Sequence, residues 1–278
     1  MHEILIFDTC SIINFLHLDG TDDDLYKWIM KFSPFFSECV MDEVWENLKK
    51  VPVSQEEQHT YETKISSFYA TQSSTKEIES YDDGQMIKEL KSFSKHTKKL
   101  NGEFYSTALC LLKNKQEGKQ TLLITDDFPA KDEFRAYFQF HQIGRIGDSV
   151  DLLLYLFYHT NETDFNLIQL KQYLTELMRR YFEPLKVIEE KTKKYIELLS
   201  KKKDKSGNKL HVVLDMFYNN PSSFLTKLQK FLSNKNDDYS KDILTLVNSQ
   251  IEAPQIITKI QSVLAYLNKY KTYRIKGQ

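Results

Sequence analysis

The sequence predicts an α/β fold, with a parallel sheet flanked by helices, followed by an all-α C-terminal region. Short apolar runs alternate with amphipathic segments in the first part of the chain, a pattern typical of a parallel sheet covered by helices. The 278 residues include only 8 Gly and 6 Pro, which favours long helices over a turn-rich β-sandwich. Strand-like runs become scarce after residue 160. We therefore expect one domain over residues 1–160 and a second over 161–278.

The predicted strands are short and apolar. They cover residues 3–7, 35–41, 121–124 and, more weakly, 140–146. Amphipathic spacing predicts helices between them, over 11–18, from 42 onward, and over 56–70, 83–95, 103–114 and 149–158. The polar segment 71–82 predicts a loop.

The C-terminal region has the pattern of successive amphipathic helices. We expect them over 164–200, 209–218, 222–233, 239–250 and 254–270. Pro184 predicts a kink or a break in the first of these helices. The charged segment 201–208, which contains a glycine, predicts a linker.

Composition excludes several classes of protein. Hydrophobic residues make up 41% and charged residues 28% of the chain, as in globular proteins. The longest apolar run, 152–158, is far shorter than the roughly 20 residues of a membrane span. No basic region precedes the apolar stretch near the N-terminus, so we expect no signal peptide, no membrane association and a cytoplasmic location. The three cysteines lack the spacing of a zinc site or a disulfide framework.

The charge is distributed unevenly along the chain. The net charge of -1 combines about -9 over residues 1–160 with about +8 over residues 161–278. Opposite charges on two halves indicate either contact with nucleic acid or docking of one half on the other.

Acidic residues stand at the ends of predicted strands and the starts of the following helices. Asp8 follows the first strand, and Glu43 and Glu103 open predicted helices. Asp126 and Asp127 follow the strand at 121–124. Because the carboxyl ends of parallel strands share one edge of a sheet, we expect these acids to converge there. Close carboxylates stay ionised only beside a cation, and oxygen ligands without His or Cys favour Mg²⁺ or Mn²⁺.

Each of these acids also has an ordinary structural interpretation. Asp8 is placed to cap a helix. Glu43 and Glu103 are placed to interact with helix dipoles, and Asp126 and Asp127 with a turn. Taken singly, these roles are the commoner ones; four acids at successive junctions favour a metal site.

Four segments together resemble the PIN-domain (VapC-like) metal-dependent ribonucleases over about residues 3–150. These segments are DTCSII at 8–13, VMDEVWENL at 40–48, NGEFYSTALCLL at 101–112 and LLITDD at 122–127. The resemblance implies a PIN-like sheet in which Asp8, Glu43 and Glu103 are the first three metal-binding acids.

The fourth acid is one of two neighbours. The family's T-x-D pattern matches Thr125 and Asp127, which favours Asp127 and leaves Asp126 as a close competitor. Side chains alternate in direction along a strand, so Thr125 and Asp127 share a face unless a turn begins at Asp126. Thr9 and Thr125 match small hydroxyl residues that shape the family's site. The sequence departs from the family at Cys10, where Ser or Asn is common, and in having Glu rather than Asp as the third acid.

The resemblance implies an Mg²⁺- or Mn²⁺-dependent endoribonuclease that hydrolyses RNA through a metal-bound water. The catalytic acids would be Asp8, Glu43, Glu103 and Asp127. A toxin or defence role, an antitoxin or other protein partner, and a homo-oligomer are all compatible with it. Two alternatives stay open: a nuclease that acts on DNA, and a PIN scaffold with a degraded site that binds nucleic acid or protein.

Overall fold

The computed structural model describes residues 3–19, 24–48, 54–68, 71–94, 100–161 and 163–269. These residues are mostly helical and contain a small parallel sheet of three strands flanked by helices, which confirms that part of the predicted fold. They form two compact units that divide between Leu170 and Lys171. Among the described helices, none combines the length and the apolar character that crossing a membrane requires.

The strands lie in one three-stranded sheet and one short pair. They are β1 (Ile4–Phe7), β2 (Phe36–Ser37), β3 (Gln72–Ser73), β4 (Thr121–Ile124) and β5 (Gly144–Gly147). The sheet has the order β1-β4-β5, and β2 pairs with β3 separately. All pairings are parallel, with Thr121 opposite both Ile4 and Gly144.

Nine helices are described in the first unit. They are α1 (Thr9–Asp19), α2 (Asp24–Met30), α3 (Glu38–Leu48), α4 (Gln55–Phe68), α5 (Thr75–Ser80), α6 (Gln85–Phe93), α7 (Gly102–Glu117), α8 (Phe128–His141) and α9 (Ser149–His159). A 3-10 turn over Tyr81–Gly84 joins α5 to α6.

The ends of the three sheet strands are held at one edge by backbone hydrogen bonds. The amide of Asp8, just after β1, donates to the carbonyl of Ile124 at the end of β4, at 3.0 Å. The amide of Thr125 donates in turn to the carbonyl of Gly147 at the end of β5, also at 3.0 Å. The residues that follow β1 and β4 are therefore close together, as the sequence predicted.

Two predicted elements were wrong. The strand predicted over 35–41 is only β2, because helix α3 already begins at Glu38 and buries Val40 and Val44 on one face. The loop predicted over 71–82 contains β3 and α5, since the hydroxyl of Ser74 accepts from the amide of Glu77 and caps that helix.

Helix α8 was absent from the sequence prediction. Asp127 caps it by accepting from the amide of Ala130, and Pro129 stands in its first turn. The weak strand predicted from 140 consequently begins only at Gly144, because residues up to His141 belong to this helix.

The remaining described helices lie mainly in the second unit. They are α10 (Leu167–Lys201), which begins in the first unit, α11 (Ser206–Leu214), α12 (Pro221–Leu232), α13 (Asp238–Ser249) and α14 (Ala253–Lys269). Helix α10 continues through Pro184 without a break. The predicted linker over 201–208 is shorter than expected, because α11 begins at Ser206.

Residues just after the predicted domain boundary still pack on the first unit. The ring of Phe165 stacks on Trp28 with 4.5 Å between centroids, and Asp164 pairs with Lys31 at 2.9 Å. Phe165 is fully buried. The division at residue 160 stays a prediction, but a chain cut there would lose these contacts.

Candidate metal centre

Asp8 is a buried carboxyl that accepts three hydrogen bonds. Its Oδ1 accepts from the amide of Thr9 at 2.6 Å. Its Oδ2 accepts from the hydroxyl of Thr125 at 2.9 Å and from the thiol of Cys10 at 3.2 Å. Burial raises the pKa of Asp8 from 3.8 to about 6, and the charge of Glu43 adds to the rise. Asp8 is therefore an acid whose charge is poorly solvated.

Glu43 is fixed beside Asp8 by two donors from other elements. Its Oε2 accepts from the hydroxyl of Thr9 at 2.7 Å, and its Oε1 accepts from the amide of Gly102 at 3.0 Å. Glu43 lies in the second turn of α3 rather than at its start, which corrects the predicted opening of that helix. A Cβ atom at Gly102 would lie 2.6 Å from Oε2 of Glu43, so a larger residue there would push the carboxylate of Glu43 aside.

Glu103, the second residue of α7, faces two other carboxyls. Its Oε2 accepts from the side-chain amide of Asn101 at 2.8 Å. Burial raises the pKa of Glu103 to about 8, and the charges of Asp8 and Asp127 and a hydrogen bond with Asp127 contribute. The pKa of Glu103 is raised because its charged form is poorly solvated and lies among other acids.

The neighbours Asp126 and Asp127 have separate surroundings. Asp127 lies beside Glu103, caps α8, and donates its own amide to the hydroxyl of Thr125 at 3.1 Å. Asp126 accepts from the side-chain amide of Asn14 at 2.7 Å and from the amide of Ser149 at 2.8 Å. The hydroxyl of Ser149 also donates to Asp126. Asp127 is thus joined to the other acids, whereas Asp126 connects α1 to α9.

A further acid at the same edge of the sheet was missed in the sequence. Asp148 follows β5 as Asp8 follows β1, and it is buried. Its Oδ2 accepts from Nζ of Lys131 at 3.0 Å, and its Oδ1 accepts from the amides of Val150 and Asp151. The capping-box spacing of Asp148 and Asp151 was the available signal. Asp148 stabilises the start of α9, and Lys131 compensates its charge.

The structure brings together Asp8, Glu43, Glu103 and Asp127. In the described part of the chain, no three His, Cys, Asp or Glu side chains are arranged as a ready-formed metal-binding group. The four carboxyls are held instead by hydrogen bonds from neighbouring backbone and side-chain donors. Their donor chemistry fits Mg²⁺ or Mn²⁺, because they are hard oxygen ligands whose mutual repulsion a cation would relieve. Binding a cation would require Glu103 to lose its proton.

Comparison with known proteins gave no relative from which a function could be transferred. No protein-family model, no curated protein and no solved structure matches the chain.

Proposed function

We propose that this protein is an Mg²⁺- or Mn²⁺-dependent nuclease with a PIN-like catalytic domain, and that its substrate is RNA. The observation that supports this most strongly is the group formed by Asp8, Glu43, Glu103 and Asp127. Burial raises the pKa values of Asp8 and Glu103 in a place where each lies close to another acid. Such a group is costly for a fold to maintain, which favours a functional role over a structural one.

The proposed chemistry depends on the charge of these carboxylates. A bound Mg²⁺ or Mn²⁺ would neutralise charge on a phosphodiester and lower the pKa of water. Thr9 orients two of the acids, since its amide donates to Asp8 and its hydroxyl to Glu43. Thr125 holds Asp8 through its hydroxyl, which also accepts from the amide of Asp127. No protein nucleophile is required.

The preference for RNA over DNA rests on the resemblance of the four sequence segments to PIN-domain ribonucleases. The same resemblance supports a toxin or defence role and a protein partner such as an antitoxin. A non-catalytic module that binds nucleic acid or protein is the second candidate. It is favoured by the lack of a ready-formed metal-binding group among the described residues.

One experiment separates these candidates. The purified chain is incubated with end-labelled RNA and DNA strands of the same base sequence, with Mn²⁺ or with EDTA. We expect Mn²⁺-dependent cleavage of RNA that EDTA abolishes. Glu103→Gln should remove the activity, whereas Glu117→Gln at the other end of α7 should retain it. Cleavage that persists in EDTA, or in Glu103→Gln, would contradict the proposed site, and binding without cleavage would favour the second candidate.

A further inference from the structure

Helix α8 and strand β5 form the two sides of a basic groove, which we call the α8–β5 groove. Its volume is about 250 Å³. The side chains that line it include Lys131, Arg135, Phe138, Gln139, Arg145 and Ile146. Lys131, Arg135 and Gln139 are spaced by four residues and therefore lie on one face of α8. Arg145 faces them from β5.

The three cations of the groove differ in how much charge they can offer to a ligand. Lys131 is buried and its charge is compensated by Asp148, so it offers little charge to a ligand. Arg135 makes a single 3.3 Å contact with Asp132, and both side chains are more than half exposed. Exposed ion pairs of this kind contribute little to stability, so Arg135 can readily exchange Asp132 for another anion. Arg135 is therefore available to a ligand.

Glu3 fixes the position of Arg145 without occupying all of its hydrogen-bond donors. Glu3 accepts from its Nε at 3.0 Å and from its Nη2 at 2.9 Å. This bidentate pair fixes the plane of the guanidinium and leaves Nη1 outside it. A planar, pre-organised guanidinium of this kind suits the recognition of phosphate.

The groove is connected to the candidate metal centre through helix α8. The amide of Lys131 donates to the carbonyl of Asp127 at 3.1 Å, so the first residue of the groove is one helical turn from that acid. Arg135 lies one turn further, about 12 Å from Asp127 along the helix axis by the rise of an α-helix. A single nucleic-acid strand spans this distance in a few nucleotides.

We propose that the α8–β5 groove binds the phosphate backbone of single-stranded RNA through Arg135 and Arg145 and leads it to the candidate metal centre. The identity of the strand rests on the proposed function, whereas the preference for a polyanion follows from the residues of the groove. The guanidinium groups of Arg135 and Arg145 favour a phosphate backbone as the occupant, although Phe138 and Ile146 also line the groove. An extended peptide that pairs with β5, the outer strand of the described sheet, is the competing occupant.

Binding to a fluorescently labelled 12-nucleotide single-stranded RNA tests this proposal. The full chain is titrated in EDTA at several salt concentrations, so that cleavage plays no part. For single strands the salt slope is about -0.7 for each phosphate neutralised. Arg135→Gln with Arg145→Gln should weaken binding about tenfold and reduce the slope by about 1.4. A matched pair, Lys115→Gln with Lys119→Gln, removes the same charge elsewhere on the first unit and should change both values little.

The outcomes distinguish this proposal from the proposed function. Unchanged affinity and slope in the folded double variant would overturn the groove assignment and leave a peptide as its occupant. Failure of the wild type to bind the RNA would overturn it as well. Binding that depends on the two arginines, without Mn²⁺-dependent cleavage, would support the groove and contradict the nuclease. If the double variant does not fold, Arg135→Gln alone should reduce the slope by about 0.7.

Discussion

Glu103 at the start of α7 lies close to Asp127, the residue that caps α8, so two acidic side chains meet where these helices begin. Burial, together with the charges of Asp8 and Asp127, raises the pKa of Glu103 to about 8, so its protonated form is favoured at neutral pH. A cation that binds the Glu103 carboxylate must displace that proton. Metal binding and protonation are therefore linked at this site.

The first prediction concerns the pH dependence of stability without metal. A carboxyl whose pKa is raised by folding binds protons more tightly in the folded state, so stability falls as the pH rises. For Glu103 the fall should extend from about pH 4.5 to about pH 8, and for Asp8 from about 3.8 to about 6. We expect the Tm of Glu103→Gln in EDTA to exceed that of the wild type increasingly above pH 6. A Tm difference between Glu103→Gln and the wild type that is the same at pH 5 and at pH 8.5 would contradict the raised pKa of Glu103.

The second prediction concerns Asp8. Asp8→Asn should reduce Mn²⁺-dependent cleavage at least about 100-fold, which corresponds to about 2.7 kcal/mol in barrier height. The metal-free variant should stay folded with a stability close to that of the wild type, because the removal of a buried charge beside Glu43 offsets the disturbed hydrogen bonds from Thr125 and Cys10. Cleavage rates and thermal unfolding measure the two effects separately. An inactive variant that is also strongly destabilised would indicate a structural role for Asp8 instead.

The third prediction separates the adjacent acids. Asp127→Asn should lower activity at least about ten times more than Asp126→Asn, a difference of about 1.4 kcal/mol in barrier height. Asn caps helices as well as Asp does, so α8 should keep its start in Asp127→Asn. Asp126→Asn should mainly reduce stability, by about 1 kcal/mol, because it disturbs the hydrogen bonds to Asn14 and Ser149. Rates at saturating Mn²⁺ decide the order, and the reverse order would make Asp126 the fourth acid.

The fourth prediction concerns the close approach of α7 to α3. In Gly102→Ala the new Cβ would lie 2.6 Å from Oε2 of Glu43 and 2.8 Å from Oγ1 of Thr9. We expect a large loss of activity because the carboxylate of Glu43 is displaced, and a smaller effect on the free energy of unfolding because the crowded atoms are side-chain ends that can move.

Gly118→Ala is the control at the other end of α7. Gly118 has φ of +65°, and no atom lies within 4 Å of a Cβ placed there. This variant should lose about 1 kcal/mol of stability through backbone strain and keep its activity. Similar activity in the two variants would show that the position of Glu43 is unimportant for cleavage.

Local patterns predicted the elements that hold most of the candidate site. The strand before Asp8, the strand at 121–124 and the helix predicted from Glu103 each have a strong signal within a few residues. The structure contains all three, with that helix beginning one residue earlier, at Gly102. The run from Phe35 to Met41 was misassigned because a short apolar run does not distinguish a strand from a buried helix turn. Its helical start depends on tertiary packing, since Val40 and Val44 are fully buried.

The details of the site depend on contacts between distant parts of the chain. Asp127 was interpreted as a possible ligand, and its simultaneous role as the cap of α8 was overlooked together with that helix. The pairing of Lys131 with Asp148 joins residues 17 positions apart and has no local signal. The raised pKa of Glu103 follows from its burial among other acids, which the sequence does not specify.

Whether Asp8, Glu43, Glu103 and Asp127 hold a divalent cation is tested most directly by Mn²⁺ binding, measured by electron paramagnetic resonance of free Mn²⁺ at pH 8. The wild type should bind Mn²⁺ and release protons as it does so. Asp8→Asn and Glu103→Gln should each weaken binding at least about tenfold, whereas Asp126→Asn should bind like the wild type. Equal binding by the wild type and the folded Asp8→Asn and Glu103→Gln variants, or no binding by the wild type, would contradict the assignment.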